Sequence, residues 1–195
     1  MKQLFIEKYL EPSKTIEKAL YKENIVKAYF WNNKYGELHS FLGHPAVVIF
    51  DEFGELVEQN WRKNEEIHRE KDFPATICYK TYNEFEQNWR INGKLHRDGD
   101  NPASIHYYEN KKIKLQRWFK EGILYRKNDK PAEIKYQDGK IIEEIWYKNG
   151  ITHREKDKPS IIRYKDGKIV EKIWYKNGQQ SRNGGKPSKI NYYYN

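Results

Sequence analysis

Apolar and polar residues alternate with a period of two through short segments of this chain, and each segment is followed by a tight-turn sequence. The segment Pro159-Ser-Ile-Ile162-Arg-Tyr164 therefore predicts a strand with its isoleucine and tyrosine on one face. Asp166-Gly167 is a typical hairpin turn. The chain then returns through Ile169–Tyr175, which is rich in β-branched and aromatic residues, to a second turn at Asn177-Gly178. The pattern predicts a β-hairpin with a brief return segment.

The same pattern recurs along the chain at a nearly fixed spacing. All six tryptophans follow it, at spacings of 30, 28, 29, 28 and 28 residues: Trp31, Trp61, Trp89, Trp118, Trp146 and Trp174. Six of the seven prolines keep the same step and open a strand, where a missing N–H is tolerated. Such self-similarity is the signature of a repeat protein. Because a single hairpin is marginal alone, the units are expected to stack.

We therefore predict an all-β protein, an elongated single-layer antiparallel sheet of six stacked hairpin repeats over residues 25–195, ending on an incomplete hairpin. Tryptophan is expected to cover one face, and isoleucine and tyrosine the other. Residues 1–24 are expected to cap the array, either as a short helix from Ser13 to Tyr21 or as a decayed repeat. The second alternative rests on Tyr21, which precedes Trp31 by the same ten residues that separate Tyr136 from Trp146.

The composition fits a thin, aromatic-covered sheet better than a thick core. Apolar residues make up 37% and charged residues 33% of the 195 residues, and the formal net charge is +9. Residues 146–195 hold 12 Lys/Arg against 4 Asp/Glu, so an acidic partner would meet this end first. Cys78 is the only cysteine, and there is neither a long apolar run nor a signal-like N-terminus. We expect an intracellular, cytoplasmic protein.

A His-Arg motif in the return segment is the sharpest candidate site. Its members form a candidate binding ladder: His68, Arg69, His96, Arg97, Arg126, His153, Arg154 and Arg182. One interpretation is a basic ladder for phosphates. The other is structural, because acidic residues lie three positions beyond several arginines, as Asp72 does beyond Arg69, and could tie one unit to the next. Equivalent histidines should lie about 10 Å apart, too far for one zinc ion, so neither metal nor cofactor is predicted.

Two further surfaces are candidates for binding. Lys156, Lys158 and Lys186 form a candidate basic patch in the last repeats. The final strand has no following partner in the sequence, and an open strand edge favours pairing with another chain. Tyr192, Tyr193 and Tyr194 are therefore a candidate self-association edge.

Tyr147-x-x-Gly150-x-x-His153 resembles the aromatic-x-x-Gly-x-x-His centre of MORN repeats, and the string from Asn92 to Ala103 resembles a variant common in large DNA viruses of amoebae. The resemblance covers about residues 25–195. It implies stacked hairpins in an elongated sheet and a role as scaffold, dimerisation rod or lipid-associating surface, here virus-encoded and in the host cytoplasm. The period is longer than the family's usual one, and arginine replaces the glycine after His.

The function predicted from these features is a non-enzymatic, MORN-like scaffold or assembly module. Its partner is expected to be a protein, including a second copy of itself as a homodimer. The alternative is association with an anionic membrane surface or with nucleic acid through the basic C-terminal repeats. No small-molecule substrate is expected, since a single-layer sheet does not readily form a concave catalytic pocket.

Overall fold

A computed structural model describes residues 18–22, 25–80 and 84–194 of the chain, and every regular element in them is a β-strand. Thirteen strands form one antiparallel sheet in the order β1-β2-β3-β4-β7-β8-β11-β12-β15-β16-β19-β20-β23. Five separate two-stranded sheets account for the other ten strands. The predicted fold class, an all-β, elongated single-layer sheet of hairpin repeats, is confirmed.

The strands of the long sheet are β1 (Lys18–Lys22), β2 (Ile25–Phe30), β3 (Val47–Phe50), β4 (Leu56–Asn60), β7 (Thr76–Tyr79), β8 (Phe85–Asn88), β11 (Ser104–Tyr107), β12 (Ile113–Arg117), β15 (Glu133–Gln137), β16 (Lys140–Ile145), β19 (Ile161–Lys165), β20 (Lys168–Ile173) and β23 (Lys189–Asn191). The five short hairpins are β5 (Arg62–Lys63) with β6 (Glu66–Ile67), β9 (Arg90–Ile91) with β10 (Lys94–Leu95), β13 (Phe119–Lys120) with β14 (Ile123–Leu124), β17 (Tyr147–Lys148) with β18 (Ile151–Thr152), and β21 (Tyr175–Lys176) with β22 (Gln179–Gln180).

The long hairpins close at the turn that the sequence predicts. Lys165 pairs with Lys168, and Asp166 and Gly167 between them have φ values of 52° and 77°. Two successive positive φ angles are what a two-residue turn needs to match the twist of its strands, and Asp-Gly adopts them at low cost. A β-bulge lies just before this turn, between Arg163 and Tyr164.

The short hairpins form a second stack beside the long sheet. Each one closes at a turn such as Asn177-Gly178, again with positive φ at both positions. The glycine of one turn donates its N–H to a carbonyl of the preceding short hairpin: Gly93 to Ile67 (2.9 Å), Gly122 to Leu95 (2.8 Å), Gly150 to Leu124 (3.2 Å) and Gly178 to Thr152 (3.1 Å). The brief return segment of each repeat is thus stacked on its neighbours by backbone hydrogen bonds.

Tryptophan, isoleucine and tyrosine form the core on one face of the sheet. Trp118 clusters with Ala132 and Ile134, and Tyr136 packs against them. The prediction that isoleucine and tyrosine lie on the face opposite tryptophan is wrong for these residues. The backbone N–H of Trp118 donates to Ala132 O (2.9 Å) and Gln116 pairs with Ile134, so this register places Trp118 and Ile134 on the same side of the pleat.

The opposite face carries a charged row in the later repeats. Glu143, which is 7% exposed, lies between Lys135 Nζ (2.6 Å) and Arg163 Nε (2.7 Å). Arg163 in turn contacts Glu171 at 2.5 Å. These carboxylates are stabilised because each has cationic partners on both neighbouring strands. Cys78 lies in the same cross-strand row, nearer the N-terminal end of the sheet, and burial raises the pKa of its thiol to about 11.

The first described hairpin has the same register as the later ones. Tyr21 pairs with Val26 after a bulge, as Tyr136 pairs with Ile141. A helix from Ser13 to Tyr21 therefore does not fit residues 18–21, whereas residues 13–17 lie outside the described part of the chain. The predicted boundary after residue 24 falls within this hairpin, between β1 and β2.

Candidate functional site: the arginine ladder

Five arginines lie over five tryptophans along the array. The Cζ atoms lie 3.7–3.9 Å from the indole centroids in the pairs Arg69–Trp61, Arg97–Trp89, Arg126–Trp118, Arg154–Trp146 and Arg182–Trp174. Each arginine follows its tryptophan by eight residues because the short hairpin between them turns the chain back. In the second pair, His96 N donates to Trp89 O (3.0 Å), and the next residue, Arg97, covers the indole ring. We call these arginines the arginine ladder, and each arginine with its tryptophan a rung.

Each later rung also binds the preceding repeat through a carboxylate. Arg97 Nε and Nη2 lie 2.6 and 3.0 Å from the two Asp72 oxygens, a bidentate geometry. Trp89 Nε1 donates to the backbone carbonyl of the same aspartate at 3.0 Å. The same pairing is made by Arg126 with Asp100, Arg154 with Asp129 and Arg182 with Asp157. The tie between units that the structural interpretation predicts is therefore present as an ion pair, and the stack on tryptophan accompanies it.

The ion pairs shift the titration of the ladder carboxylates. The hydrogen bond from Arg154 lowers the pKa of Asp129 to about 2, and Lys158 adds to this effect. Hydrogen bonds from Arg126 and Lys130 hold the pKa of Asp100 well below its usual range. The carboxylates are thus ionised wherever the protein is folded near neutral pH.

The predicted basic patch is partly neutralised by the same carboxylates. Lys158 Nζ lies 2.6 Å from Asp129 Oδ2, and Lys186 Nζ lies 3.6 Å from Asp157 Oδ2. Lys156 is exposed, and within the described residues it forms no ion pair. The excess of lysine in the last repeats therefore overstates their free positive charge.

The ladder histidines hold the turn of the next short hairpin. His96 Nδ1 accepts the N–H of Glu121 (3.2 Å), and His153 Nδ1 that of Asn177 (3.2 Å). His68 accepts from Asn92 in the same way (3.3 Å). His39, which the prediction omitted, accepts from Asn64 (3.3 Å), and only its place after Leu38 in the repeat frame could have shown this. Across the described ranges, no three His, Cys, Asp or Glu side chains are grouped to hold a metal ion.

Shallow grooves lie between successive rungs and the short hairpins. One of about 250 Å³ is lined by residues that include Arg97, Asp100 and Trp118, and a second of about 260 Å³ lies one repeat further on, beside Trp146 and Arg154. Because their walls are the ladder itself, these grooves repeat the same chemistry along the array.

The first rung departs from this arrangement. Gly43 occupies the position that Asp72 holds one repeat later, so it supplies no carboxylate to Arg69. Phe73 replaces the lysine found at Lys130 and Lys158, and its ring lies 4.9 Å from Arg69 Cζ. Leu42 is 78% exposed and Phe73 is 53% exposed. Among the described residues, Arg69 is therefore the one ladder arginine without a carboxylate partner, and it lies in a segment with exposed apolar side chains.

The predicted self-association edge is only partly free. Within the described residues, β23 pairs with β20 alone. Tyr194 donates its hydroxyl to Ile169 O (2.8 Å), and Tyr192 lies beneath Lys172 Nζ at 5.2 Å. Tyr193 is 87% exposed. Two of the three tyrosines thus bind back to the preceding hairpin, and Tyr193 alone projects.

Fold and site together define the class: an all-β repeat protein in which an arginine–tryptophan–aspartate lattice joins successive hairpins. A comparison with protein-family models gave no match, and neither did one with curated proteins. Nowhere in residues 18–22, 25–80 and 84–194 does a helix have the length and apolar character needed to cross a bilayer.

Proposed function

We propose that this protein is a non-enzymatic scaffold that binds a protein partner through the exposed apolar side chains at its first rung. Leu42 carries the proposal. Its φ of 47° is unfavourable for a leucine, and its side chain is 78% exposed. The equivalent positions are glycine at Gly99 and Gly184, with φ values of 75° and 70°, and polar at Lys71, Asn128 and Lys156, with φ values of 61°, 63° and 62°. Neither packing nor backbone preference favours leucine here, which supports a role in binding.

The composition of the first rung also supports a protein partner. Arginine and aromatic residues are enriched in protein interfaces, where lysine is depleted, and Phe73 stands where the last three repeats have Lys130, Lys158 and Lys186. In contrast, the ladder charges that would favour lipid or nucleic acid are committed to contacts within the array. On the motif residues it shares with MORN repeats, we also propose membership of that family and a cytoplasmic location, in a host cell if the protein is virus-encoded.

The test is affinity capture of the tagged full-length protein from cell lysate, with and without nuclease, read by mass spectrometry. Leu42→Asn and Phe73→Asn install residues that this chain itself carries at equivalent positions, so they should fold and lose the partner. Lys71→Asn, at the matching position of the next rung, is the control and should retain it. Loss of every captured protein on nuclease treatment would contradict the proposal and favour nucleic acid.

Self-association is a second candidate, supported by the unpaired side of β23 and by Tyr193. Tyr193→Ser should then abolish a dimer in sedimentation equilibrium while Tyr35→Ser, which removes another side chain of high exposure (75%), leaves it intact. A wild-type protein that is monomeric throughout the concentration range excludes this candidate. Binding to anionic vesicles that is lost with Lys156→Glu would instead support the lipid alternative.

A further inference from the structure

Arg69 has the surroundings of a ladder arginine without the carboxylate. Its guanidinium stacks on Trp61 at 3.7 Å, and its Nη1 donates to Pro74 O at 3.1 Å, as Arg97 donates to Pro102 O. Its Nη2 reaches only the carbonyl of Gly43, at 3.5 Å. Within the described residues no Asp or Glu lies within ion-pair distance of Arg69. The Nε–Nη2 edge that binds aspartate on the other rungs is therefore unoccupied by a carboxylate.

Partial burial strengthens the attraction between this edge and an anion, because less water screens the charge. The guanidinium is half-buried, and burial lowers the pKa of Arg69 because the charge has lost water without gaining a counter-charge. The stack on Trp61 and the bond to Pro74 fix the orientation of the fork in advance. A planar carboxylate matches this fork at two points, as Asp72 does on Arg97.

We propose that the first rung is a carboxylate-binding site, in which the Nε–Nη2 edge of Arg69 binds an aspartate, glutamate or C-terminal carboxylate of a partner protein. The proposal deepens the proposed function and rests on it. Phe73 lies against the guanidinium, and the exposed Leu42 directly precedes Gly43, whose carbonyl Arg69 reaches, so the ligand is an acidic residue beside an apolar one. The partner supplies the group that Gly43 omits.

Gly43→Asp restores the aspartate that other repeats carry at this position and should therefore block the free edge of Arg69. A Cβ at Gly43 would meet nothing within 4 Å. Its φ is 83°, and the equivalent Asp72, Asp129 and Asp157 already adopt φ values of 56°, 55° and 53°. Aspartate is among the residues that tolerate this region. The variant should fold, pair with Arg69 and exclude an external carboxylate.

The first experiment follows the arginine Nε–Hε signals of the ¹⁵N-labelled full-length protein by NMR. Sodium acetate replaces sodium chloride at constant ionic strength, and the Arg69 signal is assigned by its loss in Arg69→Lys. We expect a saturable shift of Arg69, no shift of Arg97 or Arg154, and no shift in Gly43→Asp. Equal shifts of all ladder arginines, or none at Arg69, would overturn the site.

The second experiment separates the site from the proposed function. Peptides are selected by phage display on the wild type and compared on Gly43→Asp. Peptides with an acidic residue next to an apolar one should bind the variant about tenfold more weakly or worse, as expected for a lost charge-assisted hydrogen bond. Peptides that bind both proteins equally overturn the carboxylate site and leave the scaffold function standing. An acetate shift of Arg69 without any selected peptide would support the carboxylate site and contradict the scaffold function.

The chain's own N-terminal residues include Glu7, Glu11 and Glu17, which could supply the carboxylate instead. A full-length protein with all three changed to glutamine distinguishes the two sources. If the Arg69 signal is unchanged by these substitutions, the site is open to a partner. If the signal moves and acetate then restores it, the ligand is internal and the proposal of an external partner fails.

Discussion

The ion pair between Asp72 and Arg97 allows the contribution of one rung to be measured, because no lysine among the described residues shares this carboxylate. Asp72→Asn keeps the shape, tolerates the φ of 56° and leaves the backbone carbonyl to accept from Trp89. Arg97→Met keeps an apolar stem over the indole but removes the charge and the fork. The double variant then shows how far the two effects depend on each other.

The structure sets the magnitude of the coupling. The geometry is bidentate, but the Asp72 side chain is 58% exposed, against 15% for Arg97, so solvent screens the pair. We therefore expect a coupling free energy of about 1 kcal/mol, the upper end for exposed pairs. Arg97→Met loses the cation–π contact as well and should cost about 2 kcal/mol in total. Arg69→Met, on the rung without a carboxylate, should cost about 1 kcal/mol less than Arg97→Met.

Equilibrium urea unfolding followed by tryptophan fluorescence measures these differences, with urea chosen because it leaves ionic strength unchanged. The coupling should shrink in about 1 M NaCl, where the screening length falls to about 3 Å. A coupling of zero at low salt, or an Arg69→Met cost equal to that of Arg97→Met, would refute the ion pair as a link between repeats.

Three further outcomes are expected. The folded-state pKa of Asp129 is lowered to about 2 and that of Asp72 is also lowered, so their stabilisation is present above the ordinary aspartate pKa of about 4 and is lost as pH falls through the lowered values; urea midpoints that stay constant from pH 5 to pH 2 would contradict this. His96→Ala removes the acceptor of the Glu121 N–H, should cost about 1 kcal/mol, and should speed hydrogen exchange at that amide. Ala103→Val overfills a site with 0% exposure and should cost about 1–3 kcal/mol in the same urea assay, whereas an unchanged midpoint would show that the site can expand.

The hairpins could be predicted from the sequence because their signals are local. Asp166-Gly167 and Asn177-Gly178 require the positive φ values that the structure shows, and each lies between β-forming segments. The spacing of the tryptophans then fixed the number of units. Alternation and turn chemistry act within about ten residues, so no knowledge of the stacking was needed.

The sequence predicted that arginine–aspartate pairs link the repeats, but it did not show which arginine binds which aspartate. Asp72 lies three positions after Arg69, and the sequence suggested a link between units without showing which arginine binds it. The partner is Arg97, 25 residues further on. That offset follows from the stacking of the short hairpins, in which Gly93 N bonds Ile67 O, and a long-range register of this kind leaves no local signal. The same limit produced the wrong assignment of Ile134 and Tyr136 to the face opposite tryptophan, whereas Ile145, one residue before Trp146, does lie on that opposite face.

The ladder is directional, and this bears on the first rung. Each aspartate of one repeat binds the arginine of the next, so a finite array would leave an arginine unmatched at its first end and an aspartate at its last. Gly185 stands in the aspartate position after Arg182, and Ser40 stands in the arginine position of the first repeat. Within the described residues, neither of these two positions leaves a ladder charge without a counter-charge.

Gly43 does the opposite, because it deletes the carboxylate and leaves the guanidinium of Arg69 in place. The stack on Trp61 and the bond to Pro74 O give Arg69 a part in the fold, but they leave the carboxylate-binding edge of its guanidinium without a counter-charge. A half-buried charge without a counter-charge is destabilising, and here it coincides with a leucine in an unfavourable, exposed conformation. One bound partner would offset both costs: its carboxylate would pair with the charge of Arg69, and its neighbouring apolar side chain would cover Leu42.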